Sequence, residues 1–425
     1  MKHLNLLFLL CAFSGVFSAS CGKDKGVAQI TSVDTTATTS VKFIDTLQPT
    51  VALIHPGGLN VAEDFSRIKA NLTADPWLSG WNKLTANSHA QLNYVPNPTV
   101  KLIRGGNTIE EPDPDNYPRA FNDVAAAYQT AIRWKVTGDA SYAEKSIQIL
   151  NAWAATCVKL SGDPNIALAA GIYGYQFAVA GELMRDYSGW KPADFQAYQQ
   201  WMLNVFYSQN HDFLVRHQNS CVGLFWANWD LCNIASTMAI GILTDKRVIY
   251  NEAVNYFQHG AGNGNIQKAI NYVFTGADAG LAQLQETGRD QGHATLVISL
   301  LSTICELAYH QGDDFYGFNN NMVLKASEYT AKYNVANLNV PFHNYDYYNC
   351  NTTTTLTQIG ADSRGTIRPM WAMIYNHYAK RKGLQAPYTL MGVNTTQPEG
   401  GGGDYGPNSG GFDQLGFGTL LYTRN

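Results

Sequence analysis

The chain has 425 residues, 45% of them hydrophobic, enough to bury a full core without metals or disulfides as staples. With 29 basic against 33 acidic residues and a formal net charge of −4, it lacks the basic balance of a nucleic-acid binder, so any polyanion must be met by local groups. Charged residues are only 15% of the chain, against a usual figure of about 25%, and aromatics reach 12%, a composition that excludes disorder and coiled coil.

Met1-Lys2-His3 is a short basic start, residues 4–17 form an apolar stretch, and Ser18-Ala19-Ser20 supplies small residues before Cys21. The pattern resembles a bacterial lipoprotein signal over residues 1–20, with Cys21 lipidated, although the Leu usual three places before the cysteine is Ser18 here. The expectation is an exported protein, lipid-anchored in the periplasm or at the outer-membrane surface of a Gram-negative bacterium, touching the membrane only through that anchor. Residues 21–50, rich in Thr, Ser, Val and Asp without helical periodicity, read as a tether. Past the leader, no apolar run is expected to reach the roughly 18 residues of a membrane span.

Setting aside Cys11 and Cys21, five cysteines remain: Cys157, Cys221, Cys232, Cys305 and Cys350. None stands in a CxxC pair, so a thiolate zinc site is not expected. Cys221 and Cys232 are the pair that an oxidising compartment would join, but buried free thiols are the preferred reading.

From Phe121 the apolar residues fall at helical spacing. Phe121, Val124, Ala125, Tyr128, Ala131 and Ile132 share one face, and Tyr142, Ile147, Leu150, Trp153 and Cys157 continue the pattern in a second helix. Between them, Gly138 ends one helix, and Asp139 or Ser141 caps the next. Similar punctuation returns at Ser188-Gly189-Trp190-Lys191-Pro192, at Leu243-Thr244-Asp245-Lys246 and at Gln311-Gly312-Asp313-Asp314. The chain therefore reads as a series of helical hairpins, all-α in class, with strand-like alternation scarce. Because the hairpins share only their turns, closure into an α/α toroid is preferred over an open solenoid of like repeats. The toroid is placed at residues 51–390. Residues 391–425, where glycines alternate with aromatics, read as a small β-element or a flap closing one end, as opposed to a solvated tail.

Two segments concentrate polar groups within apolar helical sequence. One runs from His217 through Trp226, Asn228, Trp229 and Asp230 to Asn233; the other is Gln285-Glu286-Thr287-Gly288-Arg289-Asp290-Gln291-Gly292-His293. On a helix Glu286, Arg289 and His293 lie at i, i+3 and i+7, which puts a carboxylate, a guanidinium and an imidazole on one face. A metal is not expected, since HExxH is absent and the residue four after His293 is Val297. Glu286 with Asp290, or Asp230, are the carboxylates a glycoside hydrolase would use, but Arg289 between the first two makes a poor general acid of either. A serine nucleophile is unsupported, as GxSxG is missing.

Asn228-Trp229, the ETGRDQGH run, His55-Pro56-Gly57-Gly58-Leu59, the turn at residues 136–139 followed by ILNAW, and Trp371 with Tyr375-Asn376-His377-Tyr378 together resemble the alginate lyase superfamily. Within it the chain looks most like polysaccharide lyase family thirty-eight, from about residue 49 to the end. The resemblance implies an α/α toroid that cleaves uronate polysaccharide, alginate or another uronan such as glucuronan, by β-elimination with neither metal nor cofactor. In that reaction the C5 proton of a uronate is weakly acidic because its neighbour is an anion, so the enzyme must mask the carboxylate before a base can act. Related toroids carry Asn followed directly by His, and a Tyr further downstream; here Trp229 stands in place of that His, and His293 in place of the Tyr.

By the resemblance, Asn228 and Arg289 direct the carboxylate and His293 is the base, imidazole being the side chain that changes charge near neutral pH. A tyrosine donates to the O4 leaving group. Tyr173 is preferred, because Gly171 and Gly174 beside it would let a sugar approach, with Tyr347 next. Arg119, Gln176, His217, Trp226, Glu286, Gln291 and Tyr347 are expected substrate contacts, where indole stacks on sugar and Arg pairs with further carboxylates. The competing readings are a glycoside hydrolase on the same toroid and a non-catalytic glycan-capture lipoprotein.

Overall fold

The structure, a computed structural model, describes residues 51–425; the leader, the Cys21 lipidation site and the 21–50 tether lie outside the described residues. In chain order the first elements are α1 (Ala62–Asn71), α2 (Trp77–Ala86), β1 (Lys101–Ile103), α3 (Pro118–Thr137), α4 (Ala140–Thr156) and β2 (Lys159–Ser161). Next come α5 (Ile166–Met184), α6 (Pro192–Trp201), α7 (Ser208–Arg216), α8 (Ala227–Leu243), α9 (Arg247–His259), α10 (Ile266–Ala269), β3 (Ile270–Val273) and β4 (Ala282–Leu284). The last are α11 (Gln291–His310), α12 (Phe318–Asn334), β5 (Tyr345–Tyr348), β6 (Thr353–Leu356), α13 (Trp371–Tyr375), α14 (Pro387–Thr396) and α15 (Gly418–Leu421).

The expected turns are where local chemistry places them. Gly138 closes α3 in the left-handed region at φ 76, and Asp139 caps α4 by accepting from Ser141 N at 2.9 Å. Asp245 and Gly312 take positive φ in the α8–α9 and α11–α12 turns. The hairpins form an α/α toroid. α3, α5, α8 and α11 pack side by side as an inner ring; α4, α6 and α9 lie outside it with one partly exposed face each, and α12, mostly buried past its first turn, backs α11. α5 and α11 are, against expectation, long and apolar enough to cross a bilayer by composition. Their windows are 89% and 83% buried inside the protein, which is how a helix reads when both its faces meet other helices.

Gly171 and Gly174 serve that ring, not a sugar. A Cβ at Gly171 would run into Cys232, and one at Gly174 into Ser236, both on α8, so the glycines let α5 and α8 approach backbone to backbone. The same contact buries Cys232 as a free thiol, while Cys221 pairs with Cys350 across a sequence separation of 129. Small sheets also punctuate the ring: β1 and β2 pair in parallel, and β3–β4 and β5–β6 are antiparallel hairpins, Tyr345 lying opposite Leu356 in the second.

The glycine-rich C-terminus is not a solvated tail. Gly401 bridges Gly416, Phe412 stacks on Phe121 of α3 at 4.2 Å, Arg368 pairs with Asp413 at 2.8 Å, and Gln414 donates to Ser299 of α11 at 2.8 Å. α15 then packs on α2 and α13, joining the two ends of the chain. Glu399 starts this segment, fully buried at the first turns of α13 and α15. Burial raises its carboxyl from the ordinary 4.5 to about 7, against the lowering effect of backbone N–H groups of Ala372, Trp371 and Gly418.

Two outcomes are expected. Gly171→Ala should destabilise the fold by about 1–3 kcal/mol through forced separation of α5 and α8, read by chemical denaturation; an unchanged midpoint would contradict the close approach. For Glu399 the folded state holds its proton more tightly than the unfolded one, so the favourable contribution present below pH 4.5 is lost as pH rises through about 7. The melting temperature of the wild type should therefore fall relative to Glu399→Gln over that window, and a pH-independent difference would count against it.

Candidate active site

Trp226 precedes α8 and offers no side-chain acceptor to its first turn, whose leading N–H groups would otherwise be orphaned. The short turn Gln285–Gly288 supplies the acceptors from 58 residues away. Ala227 N donates to Gln285 Oε1 at 3.0 Å, and Asn228 N donates to Glu286 Oε1 at 2.9 Å. The second oxygen of Glu286 accepts from Arg289 Nη1 at 3.0 Å. Burial pushes the Glu286 carboxyl up, and the charges of His293 and Arg289 with the Asn228 N–H oppose it. Asn228 itself is buried, and its Oδ1 has no hydrogen-bond partner.

Asp290 is the N-cap of α11. Its Oδ1 accepts from His293 N at 2.8 Å, and its Oδ2 lies 2.6 Å from His293 Nδ1. Burial alone would raise this carboxyl, but the His293 ring and amide, with Arg289, hold it below its ordinary value. An ionised carboxylate only accepts, so Nδ1 carries a proton, and Nε2 faces away from Asp290. The His293 side chain is 37% exposed, open to an incoming molecule.

Above this charged run stands an aromatic wall. The Arg289 guanidinium lies 5.1 Å from the centre of the Trp226 ring, and that indole stacks on Tyr347 at 4.2 Å and 7°. Tyr347 donates to Leu224 O at 2.7 Å, and Tyr345 accepts from Gln285 Nε2 at 2.6 Å. Burial raises the Tyr345 and Tyr347 phenols, Arg289 opposing it at Tyr347. The Cys221–Cys350 disulfide ties the loop before α8 to the β5–β6 hairpin that carries both tyrosines.

Tyr173 belongs to an adjoining group. It is buried on α5, stacks on Tyr117 at 6.3 Å and accepts from Arg104 Nη1 at 3.3 Å. Burial dominates in raising its phenol, with Arg104 opposing. Arg104 is itself half-buried beside Tyr117, and among the described residues no carboxylate forms an ion pair with it. It lies near enough to Cys232 to shift that thiol, one helical turn beyond Asn228. Arg368 extends the group: it pairs with Asp413 and donates to Gly292 O at 3.3 Å, beside His293.

Asn228, Glu286, Arg289, His293, Trp226 and Tyr347 are thus brought together. Arg119 is exposed on the first turn of α3, two residues after Tyr117. Three expected sugar contacts are corrected, because each is buried with its polar atoms spent inside the protein. Gln176 donates to Phe412 O at 2.6 Å and holds the C-terminal segment. His217 lies 2.8 Å from Asp230 and 3.2 Å from the Tyr256 hydroxyl. Gln291 donates to Gly360 O at 2.7 Å and accepts from Asn334 at 2.9 Å. Glu286, with no exposed surface, positions Asn228 and Arg289 and does not reach substrate. Asp290 as partner of His293 was missed, although an Asp three residues before a helical His is a readable capping signal. Arg104 and Arg368 carry no local signal at all.

Residues 97–339 match the family model described as alginate lyase. No curated protein matches the chain. Among solved structures, a histidine-to-alanine variant of alginate lyase A1-III complexed with tetrasaccharide superposes with a TM-score of 0.58 at 15% identity, covering 88% of this chain and 97% of that one. Alginate lyase A1-III from Sphingomonas species A1 gives 0.56 at 14%, covering 88% and 98%. An alginate lyase from Bacteroides ovatus gives 0.56 at 12%, covering 88% and 100%. At these identities the likeness is one of fold.

Nitrogen-resolved imidazole spectra are expected to show His293 protonated at Nδ1 and open at Nε2, and Asp290→Asn to mix the two tautomers. A wild-type proton on Nε2 would remove the basis for a free lone pair.

Proposed function

The chain belongs to the alginate lyase family, and we propose that it cleaves uronate-containing polysaccharide, alginate foremost and glucuronan as the other candidate, by β-elimination without a metal. Family and fold support a polysaccharide lyase. The observation that carries the finer reading is the juxtaposition of the Asn228 amide, whose Nδ2 donates no hydrogen bond among the described residues, the Arg289 guanidinium and the outward Nε2 of His293 around one buried carboxylate.

In this mechanism Asn228 and Arg289 receive the uronate carboxylate, which lowers the cost of charge building on it as the C5–H bond weakens. His293 Nε2 takes the C5 proton, with Asp290 stabilising the imidazolium that forms. The electron pair of the C5–H bond becomes the C4–C5 double bond, and the C4–O4 bond breaks with its pair on oxygen. Tyr173 is the assigned donor to that oxygen, and because its side chain is only 1% exposed it must become accessible as the polymer enters. Its hydroxyl accepts from Arg104 and, among the described residues, donates to no protein group, so its proton is available and the guanidinium would steady the phenolate left behind. The Tyr347 proton is already committed to Leu224 O, which makes it the poorer acid and suits it, with Trp226, to stacking on sugar. Arg104 and Arg119 would meet further carboxylates of the polymer. The hydrolase reading is disfavoured, since Glu286 is held by Arg289 and a helix N-terminus and cannot act as a general acid. Export with a lipid anchor at Cys21 remains part of the proposal; the Cys221–Cys350 disulfide supports an oxidising compartment.

Purified protein incubated with alginate, its mannuronate-rich and guluronate-rich blocks, and glucuronan is expected to generate the ultraviolet absorbance of unsaturated uronate ends. New reducing ends without that absorbance would indicate hydrolysis and overturn the proposal. His293→Ala should lower turnover by about 10²–10⁴-fold with an unchanged melting temperature, and wild-type turnover in this variant would refute its role as base.

A further inference from the structure

A cavity of about 450 Å³ opens between the β3–β4 turn, one side of α12 and the start of α14, and no residue of the candidate active site lines it. Lys325 and Lys332 project from α12 into its lining, seven residues and hence two turns apart on one helix face, about 10.5 Å. Both are half-buried, and among the described residues neither forms an ion pair with a carboxylate. The Lys332 ammonium lies 5.7 Å from the centre of the Tyr388 ring, which also lines the cavity. Glu328 stands in the same wall, but its carboxylate is spent on Tyr388 N at 3.1 Å, Thr389 N at 2.8 Å and Thr389 Oγ1 at 2.7 Å, pinning the start of α14 and the Tyr388 ring. Asp278 is the remaining lining carboxylate, so the lining carries two ammonium groups and two carboxylates, of which Glu328 is the one hydrogen-bonded to the start of α14.

The backbone of the rim is unusual. Asn319, Asn320 and Asn321 take φ of 44, 54 and 57 in succession, a left-handed turn that L-residues enter at a cost and asparagine enters least reluctantly. Asn320 and Asn321 line the cavity, and their side-chain amides have no hydrogen bond within the described residues. Free ammonium groups, free amides and an aromatic face in one open cavity are what a carboxylate-bearing sugar chain requires: cations for the carboxylates, amides for hydroxyls, a ring for the apolar sugar face.

We propose that this cavity is a second binding site for an anionic oligosaccharide, separate from the cleft, in which Lys325 and Lys332 meet two carboxylates of one chain. It would hold a polymer on the enzyme while the cleft works on another stretch of it, raising the local concentration of cleavable bonds. The ligand class rests on the lyase reading, and the test separates the two.

Calorimetric titration with a mannuronate tetrasaccharide is expected to show two binding events on the wild type and one on Lys325→Ala/Lys332→Ala, the lost event weakened by about tenfold or more. Arg289→Ala should lose the other event instead. Turnover of the tetrasaccharide by the double lysine variant should match the wild type, and Lys325→Arg/Lys332→Arg should restore the second event. A single event on the wild type, two events surviving in the double alanine variant, or equal binding of a neutral cello-tetrasaccharide at this site would overturn the proposal. If the lysine-dependent event is present but no unsaturated product forms from any uronan, the lyase reading fails and this site stands.

Discussion

One buried carboxylate holds the cleft together. Glu286 has no exposed surface, and a charge in that position is tolerated only because its oxygens are shared between the first turn of α8 and the Arg289 guanidinium. The helix N-terminus and the guanidinium both favour the ionised form, against burial, which favours the neutral one. The same interaction sets the position of Asn228 on one hairpin relative to Arg289 and His293 on another. Contacts then run outward from Glu286 through Arg289 and Asp290 to the His293 ring, so each group is oriented by the one before it.

The scaffold makes that arrangement rigid by bringing helices unusually close. Glycines on α5 remove the side chains that would keep α8 at ordinary distance, and α8 is the helix whose start carries Asn228. On the opposite wall the β5–β6 hairpin would be a marginal element alone, a two-stranded ribbon with a largely exposed face. The disulfide to Cys221 and the stacking of Tyr347 on Trp226 fasten it to the loop that precedes α8. The C-terminal segment completes the ring from inside, with Gln176 and Arg368 as its hydrogen-bonded anchors.

Several residue types that suggest sugar binding turn out to hold chain to chain. Gln176, His217 and Gln291 are polar groups in apolar surroundings, and burial obliges each to find partners. Whether those partners are substrate or backbone depends on what the fold packs against them, and here it is the C-terminal segment, Asp230 and residue 360. Arg104 is the converse case: a lone arginine in a short strand-to-loop region, unremarkable in sequence, that the fold half-buries beside Tyr173 with no ion pair among the described residues.

Sequence alone determined the helical hairpins and their turns, because capping and left-handed closure are settled within one turn of chain, as at Gly138 and Asp139. It also put Glu286, Arg289 and His293 in one short run, but not on one helix face as the spacing suggested. A tight turn over Gln285–Gly288 and an extended Asp290 separate the first two from α11, and the side chains meet through Asp290 and Arg289 instead. Only the tertiary structure decided which groups meet that run: Asn228 from 58 residues away, the Cys221–Cys350 pairing across 129, and Arg104 against Tyr173 across 69. Such contacts depend on how whole helices pack around the ring, and no local pattern of residues encodes the distance between two hairpins.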